Sequence, residues 1–239
     1  MTHIHSPKAL DTLIMKLGFL PFFRNEISGF SVEEYTPQNL WFSGDDDGPW
    51  EWKGPIIRNG NCTYGKLFNK KAGYVSIEWL PDLINYRRSV YRLTDNTEDE
   101  KEQSKERLIY ETIRKHESLL SHDIKSLLGF NKPRKKRLDP MDEIEIQPKK
   151  EKQNFDTIMT RLQMGTWIVV ADFEYKYNKL LERYGWGIAR YATPEVLLFG
   201  EKSINCQGRT PKESKEKIID YLSLLLPEAT ESQLLNLIR

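Results

Sequence analysis

The chain has 239 residues, 38% hydrophobic and 30% charged, with 36 Lys+Arg against 35 Asp+Glu. A near-neutral sum excludes a uniformly basic nucleic-acid coat and an acidic solvating chain, but it permits a local basic face. The length accommodates one large domain or two small ones with a real core.

The first zone covers residues 1–93 and is an aromatic-rich α/β region. It opens with a helix over residues 7–17, where Leu10, Leu13, Ile14 and Leu17 repeat at helical spacing. Ser6 and Pro7 read as cap and first turn, and Gly18 as the stop. After Pro37 comes the short apolar run Leu40-Trp41-Phe42, then a tight loop carrying Asp45-Asp46-Asp47. Those carboxylates face water in the simplest reading, because consecutive residues do not all point at one cation. Trp50-Glu51-Trp52-Lys53 alternates aromatic and charged residues, the period of a half-buried strand. A helix over residues 81–91 follows, with Leu83, Ile84 and Tyr91 inward.

The second zone, residues 94–192, has the element order of a winged helix: helix, helix, loop, helix, then a hairpin wing. Its acidic start at Asp95, Glu98, Asp99 and Glu100 suits a helix N-terminus. Leu108, Ile109 and Ile113 supply an apolar stripe. Ser121 caps a second helix holding Ile124, Leu127 and Leu128, closed by Gly129. Residues 131–152 are basic, then acidic, then basic, and read as an exposed loop. Asn154 caps a third helix with Phe155, Ile158, Met159 and Leu162 on one face. Residues 167–177 and 186–191 read as strands. The third zone, residues 193–239, is helical and packs on the rest. It has a turn at Thr193-Pro194-Glu195, a helix over residues 211–226, and a last helix capped by Thr230. The fold class is therefore α+β, a winged-helix-like module packed with the first zone and the C-terminal helices.

The two cysteines and four histidines form no metal-ligand spacing, and no metal or other cofactor is expected. No stretch reads as a signal peptide or as a membrane span, so a cytoplasmic protein with no membrane partner is expected. Charge is uneven: residues 131–190 carry 13 Lys+Arg and 9 Asp+Glu, a local +4. On the third helix Arg161 and Gln163, with Thr160, read as groove-facing, and Lys176, Lys179 and Arg183 sit on the wing. Together they make a candidate DNA-binding set. Trp50 and Trp52 read either as core or as rings that stack on a base, with Glu51 between them as a candidate general acid or base. Arg87 and Arg88 read either as a phosphate clamp in the same pocket or as partners of a local acid such as Asp82. No phosphate-binding glycine loop and no nucleophile elbow is present.

Several strings together resemble the bacterial AlkZ-related protein family. They are Phe30-Ser31-Val32-Glu33-Glu34, Leu40-Trp41-Phe42, Gly48-Pro49-Trp50-Glu51-Trp52-Lys53, Tyr64-Gly65-Lys66, Thr160-Arg161-Leu162-Gln163-Met164 and Tyr184-Gly185-Trp186. The resemblance spans residues 18–195, and its name records a distant similarity to AlkZ-type winged-helix DNA glycosylases. It implies winged-helix modules and a connection to duplex or damaged DNA. The glycosylase motif, Gln, an apolar residue, then Gln or Asp, is missing: Gln163-Met164 is followed by Gly165. No catalytic residue is carried over. Three functions stay open: a DNA-binding protein related to base repair, an enzyme acting on a damaged base, and a scaffold or small-molecule-binding domain.

Overall fold

The structure, a computed structural model, describes residues 3–41, 48–93, 104–130, 154–181, 183–200 and 204–239, with the backbone alone at residues 184 and 199. The acidic loop at Asp45–Asp47, the acidic start of the second zone and the basic loop lie outside the described residues.

Helix α1 (Pro7–Leu17) forms as its sequence dictates. Ser6 Oγ accepts from the Ala9 amide at 3.2 Å, and the Gly18 amide returns to the Ile14 carbonyl at 2.8 Å. Gly18 has φ 70°, and a Cβ there would stand 2.5 Å from the Trp79 ring, so both conformation and space demand glycine. Strand β1 (Phe19–Pro21), α2 (Val32–Tyr35) and a 3-10 turn (Gln38–Leu40) follow.

Trp50-Glu51-Trp52-Lys53 is not a strand. It lies in α3 (Pro49–Arg58). Pro49 pre-sets the first turn, and the Glu51 carboxylate accepts from the Gly48 amide at 3.0 Å, closing the exposed helix start. These end signals override the two-residue alternation, which is too short to define a period.

Strands β2 (Cys62–Phe68) and β3 (Lys71–Ser76) form a hairpin absent from the sequence reading. Its two-residue turn places Asn69 and Lys70 at φ 44° and 65°, the positive-φ pair that matches strand twist. Helix α4 (Leu80–Val90) buries Leu83 and Ile84 as expected, while Tyr91 lies half-buried just beyond its end.

The second zone runs α5 (Lys105–Lys115), β4 (Ser118–Leu120), α6 (Ser121–Leu127), α7 (Phe155–Met164), β5 (Val169–Tyr177) and β6 (Arg183–Ala192). Ser104 caps α5 and Asn154 caps α7. Ser121 is the first residue of α6 rather than its cap, since short β4 runs straight into the helix. The C-terminal helices are α8 (Pro194–Phe199), α9 (Pro211–Leu225) and α10 (Glu231–Ile238). Thr193, Thr210 and Thr230 cap them.

All pairings in the six-stranded sheet, ordered β1-β3-β2-β5-β6-β4, are antiparallel. The halves of the sheet join where Tyr64 of β2 faces Val170 of β5. One hydrophobic cluster gathers α1, β1–β3, α3, α4, α9 and α10. A second gathers α5, α6 and α7 around Ile113, Ile124 and Leu162, and Tyr191 packs against both. Asp82, buried between α4 and α9, accepts from Arg209 at 2.6 Å, Lys217 at 2.8 Å and Ser214 at 2.8 Å.

Candidate nucleic-acid interface

Helix α7 has two unlike sides. Phe155, Ile158, Met159 and Leu162 are buried in the second cluster. Asp156, Thr157, Thr160 and Arg161 recur at helical spacing on the other side, which is at least partly exposed. That polar side, with Lys66, Lys70, Tyr91 and Met164, lines an open cavity of about 510 Å³.

Two devices bring the lysines there. A register shift between Gly65 and Phe68 interrupts the β2–β3 ladder and leaves the Lys66 amide without a strand partner. Gln163 Oε1 accepts that amide at 3.0 Å while its Nε2 donates to the Met159 carbonyl at 3.0 Å. Gln163, expected to face a groove, is thus 2% exposed and ties α7 to β2. Lys66 is the exposed position of β2, and its Nζ donates to Thr160 Oγ1 at 3.0 Å. Lys70 comes from the hairpin turn, its amide against Met164 Sδ at 3.2 Å.

Arg161 keeps its place on the exposed side but is committed. Its Nε meets the Glu106 carboxylate at 2.8 Å, and the guanidinium lies 5.9 Å from the Tyr91 ring centre. Lys176, Lys179 and Arg183 are exposed along the β5–β6 hairpin, with Arg183 lying 4.8 Å from the Tyr175 ring centre. The hairpin tip is a built turn: Asn178 Oδ1 accepts from the Leu180 amide at 2.8 Å. Of the +4 counted over residues 131–190, +3 belongs to residues 131–153, outside the described residues.

Arg87 and Arg88 form no clamp. Arg87 is 1% exposed, and its guanidinium donates to the carbonyls of Leu67, Met164 (3.2 Å), Ile238 (3.0 Å) and Arg239 (3.1 Å). Burial pulls its pKa down to about 10. Arg88 pairs with Glu195 at 2.5 Å, donates to the Thr166 carbonyl, and lies 4.4 Å from the Trp167 ring centre. Asp82, the local acid considered for either arginine, is taken by Arg209 and Lys217 instead.

The N-terminal aromatic residues form a separate group. Trp52 is buried, while Trp50 is half-buried among Phe22, Phe23, Trp41 and the exposed Trp186, with ring centres 5.3–5.8 Å away. Glu51 serves the helix start and lines neither the α7 cavity nor the cavity beside Trp41 and Trp50. The unusual group in this helix is Lys53. It is 8% exposed, with Nζ 4.3 and 4.6 Å from the Phe173 and Trp50 ring centres. Burial pulls it down to about 8 against the opposing charge of Glu51. Among the described residues no carboxylate lies within ion-pair distance of it.

Sequence reading missed Lys66, Lys70, Tyr91 and Lys53 as site candidates. Tyr64-Gly65-Lys66 was visible as a string, but the strand bulge and its glutamine partner depend on residues about 100 positions apart. Among the described residues, no helix is long and apolar enough to cross a membrane.

The family model described as AlkZ related matches residues 4–239, extending the resemblance beyond residues 18–195 to nearly the whole chain. No curated protein and no solved structure matches significantly. With that match over its full mixed α+β fold, the chain belongs to the AlkZ-related family.

Proposed function

We propose that the segment from α5 to β6 is a winged helix and that the chain is a DNA-binding protein related to base-repair glycosylases. The single observation carrying this reading is the arrangement around α7. A helix, a short strand, two further helices and a hairpin follow in order, and β4 closes antiparallel on β6. In this reading α7 is the recognition helix of the helix-turn-helix module, and β5–β6 is the wing. The outward side of α7 is polar, and the wing carries Lys176, Lys179 and Arg183 as phosphate-contacting cations. Arg161, held by Glu106, orients at the helix surface. The family description supports the nucleic-acid connection. Glu51 has a structural role, its carboxylate accepting from the Gly48 amide at the start of α3.

The test is binding of a fluorescent duplex across a salt series. The parent protein binds at about 50 mM salt, with affinity falling log-linearly as salt rises, by about 0.9 per phosphate contact. Neutralising Lys176, Lys179 and Arg183 together to Gln flattens that slope by roughly two to three. No binding at low salt to plain, gapped or lesion-bearing duplex sinks the reading.

A further inference from the structure

The cavity beside α7 has a chemistry of its own. One wall is the β2–β3 hairpin, which contributes Lys66 and Lys70. Neither lysine is ion-paired among the described residues, whereas the other charges of the cavity are spoken for: Arg161 by Glu106 at 2.8 Å, Asp156 by Lys125 at 3.5 Å. The floor offers the Thr157 hydroxyl, while that of Thr160 donates to the Asp156 carbonyl at 2.6 Å and accepts from the Lys66 ammonium at 3.0 Å, orienting it. Tyr91 supplies an aromatic wall. Two unneutralised ammonium groups attract a phosphate, the Thr157 hydroxyl accepts from or donates to a sugar or base edge, and a ring gives a stacking surface. The volume, about 510 Å³, is in the range of sites that enclose a small molecule.

We propose that this cavity takes one nucleotide displaced from a DNA strand, its phosphate on Lys66 and Lys70 and its base against Tyr91. The proposal rests on the reading of α7 as the DNA-facing helix. It goes further in giving the β2–β3 hairpin, an element outside the α5–β6 module, a share in recognition. The duplex lies along α7 and the wing, and the nucleotide enters between α7 and the hairpin turn. Binding then favours DNA in which a nucleotide is already out of the stack, because such DNA has less unpairing and unstacking still to undergo.

The experiment compares three probes at one salt concentration: a plain duplex, the same duplex with a single bulged nucleotide, and free deoxyadenosine monophosphate. The parent binds the bulged duplex about ten-fold more tightly than the plain one, the factor expected from one stacked base. In the double variant Lys66→Gln/Lys70→Gln, and separately in Tyr91→Leu, that ratio falls to within about two-fold of unity. Unchanged melting temperatures show that the surface lysine variants are folded. Equal affinity of the parent for plain and bulged duplex overturns the proposal while leaving duplex binding intact. Retention of the ten-fold ratio in both variants also overturns it, by placing the nucleotide elsewhere. Binding of the free nucleotide with no preference for the bulged duplex overturns the DNA source. Failure to bind any DNA removes the underlying reading of α7 itself.

Discussion

Arg87 touches no candidate ligand, yet its removal is expected to be strongly destabilising. Its guanidinium satisfies carbonyls at the end of β2 (Leu67), the end of α7 (Met164) and the end of the chain after α10 (Ile238 and Arg239). In Arg87→Met the side chain is similar in length but donates nothing. Each buried carbonyl left without a donor costs about 1–3 kcal/mol. Against that loss stands the desolvation cost of a buried cation, several kcal/mol, which the variant no longer bears. The net expectation is a loss of about 3–5 kcal/mol, what remains of four carbonyls losing their donor after that offset. For a chain of this size that lowers the melting temperature by roughly 10 °C. Arg87→Lys does not restore stability, because a point charge with three donors cannot reproduce a planar fork spanning four carbonyls. Thermal and urea unfolding of parent, Arg87→Met and Arg87→Lys measure this directly. A melting temperature within about 2 °C of the parent for Arg87→Met refutes the reasoning, as does full rescue by lysine.

Lys53 gives a pH-dependent prediction. Its folded value of about 8 lies below its ordinary 10.5, so between those limits the unfolded chain binds more protons and the parent gains stability as pH rises. Lys53→Met is expected to be more stable than the parent by about 2 kcal/mol at pH 7, after allowance for the attraction of the rings, and the gap closes as pH rises from about 8 toward 10. Urea unfolding at both ends of that window checks it, and a constant gap is the contrary result. For Asp82, burial pushes the carboxyl up, but hydrogen bonds from Arg209, Lys217 and Ser214 outweigh it and hold the group below its ordinary 3.8. Its stabilisation is present above that value and is lost as pH falls through the folded value. Asp82→Asn therefore costs about 1.5–3 kcal/mol at neutral pH, the scale of a charge-assisted hydrogen bond, because the Arg209 and Lys217 cations it leaves behind still reach water, and melting curves on acidification lose that step. Gln163→Leu strands the Lys66 amide and lowers stability by about 1–3 kcal/mol. An unfolding midpoint equal to the parent's contradicts the bulge-and-glutamine account.

Local signals made many helices legible. Ser6, Asn154, Thr193, Thr210 and Thr230 each hold the first turn of the helix they precede, because a capping oxygen acts within three residues. The apolar stripes of α1 and α7 likewise name their buried faces, since helical spacing alone puts those side chains together. Where two local signals conflicted, at Trp50-Glu51-Trp52-Lys53, the proline and the carboxylate at the helix start prevailed over a short alternation. Arg161 lies on the exposed side of α7, whereas Gln163, read as facing the same way, is buried. A glutamine reads as polar and outward unless a distant backbone amide needs it.

Most helices and their end signals are thus legible in the sequence by itself, whereas α3 and the β2–β3 hairpin were not. What only the tertiary structure decided is the pairing of groups far apart along the chain: Lys66 with Gln163 and Thr160, Asp82 with Arg209 and Lys217, Arg87 with the chain's last carbonyls. Buried polar groups must find partners wherever the fold brings them, and sequence spacing carries no information about which ones arrive. The arginine pair that looked like a clamp was drawn into the protein for that reason. The two lysines that remain beside α7 came instead from a strand and a turn that only packing set against it.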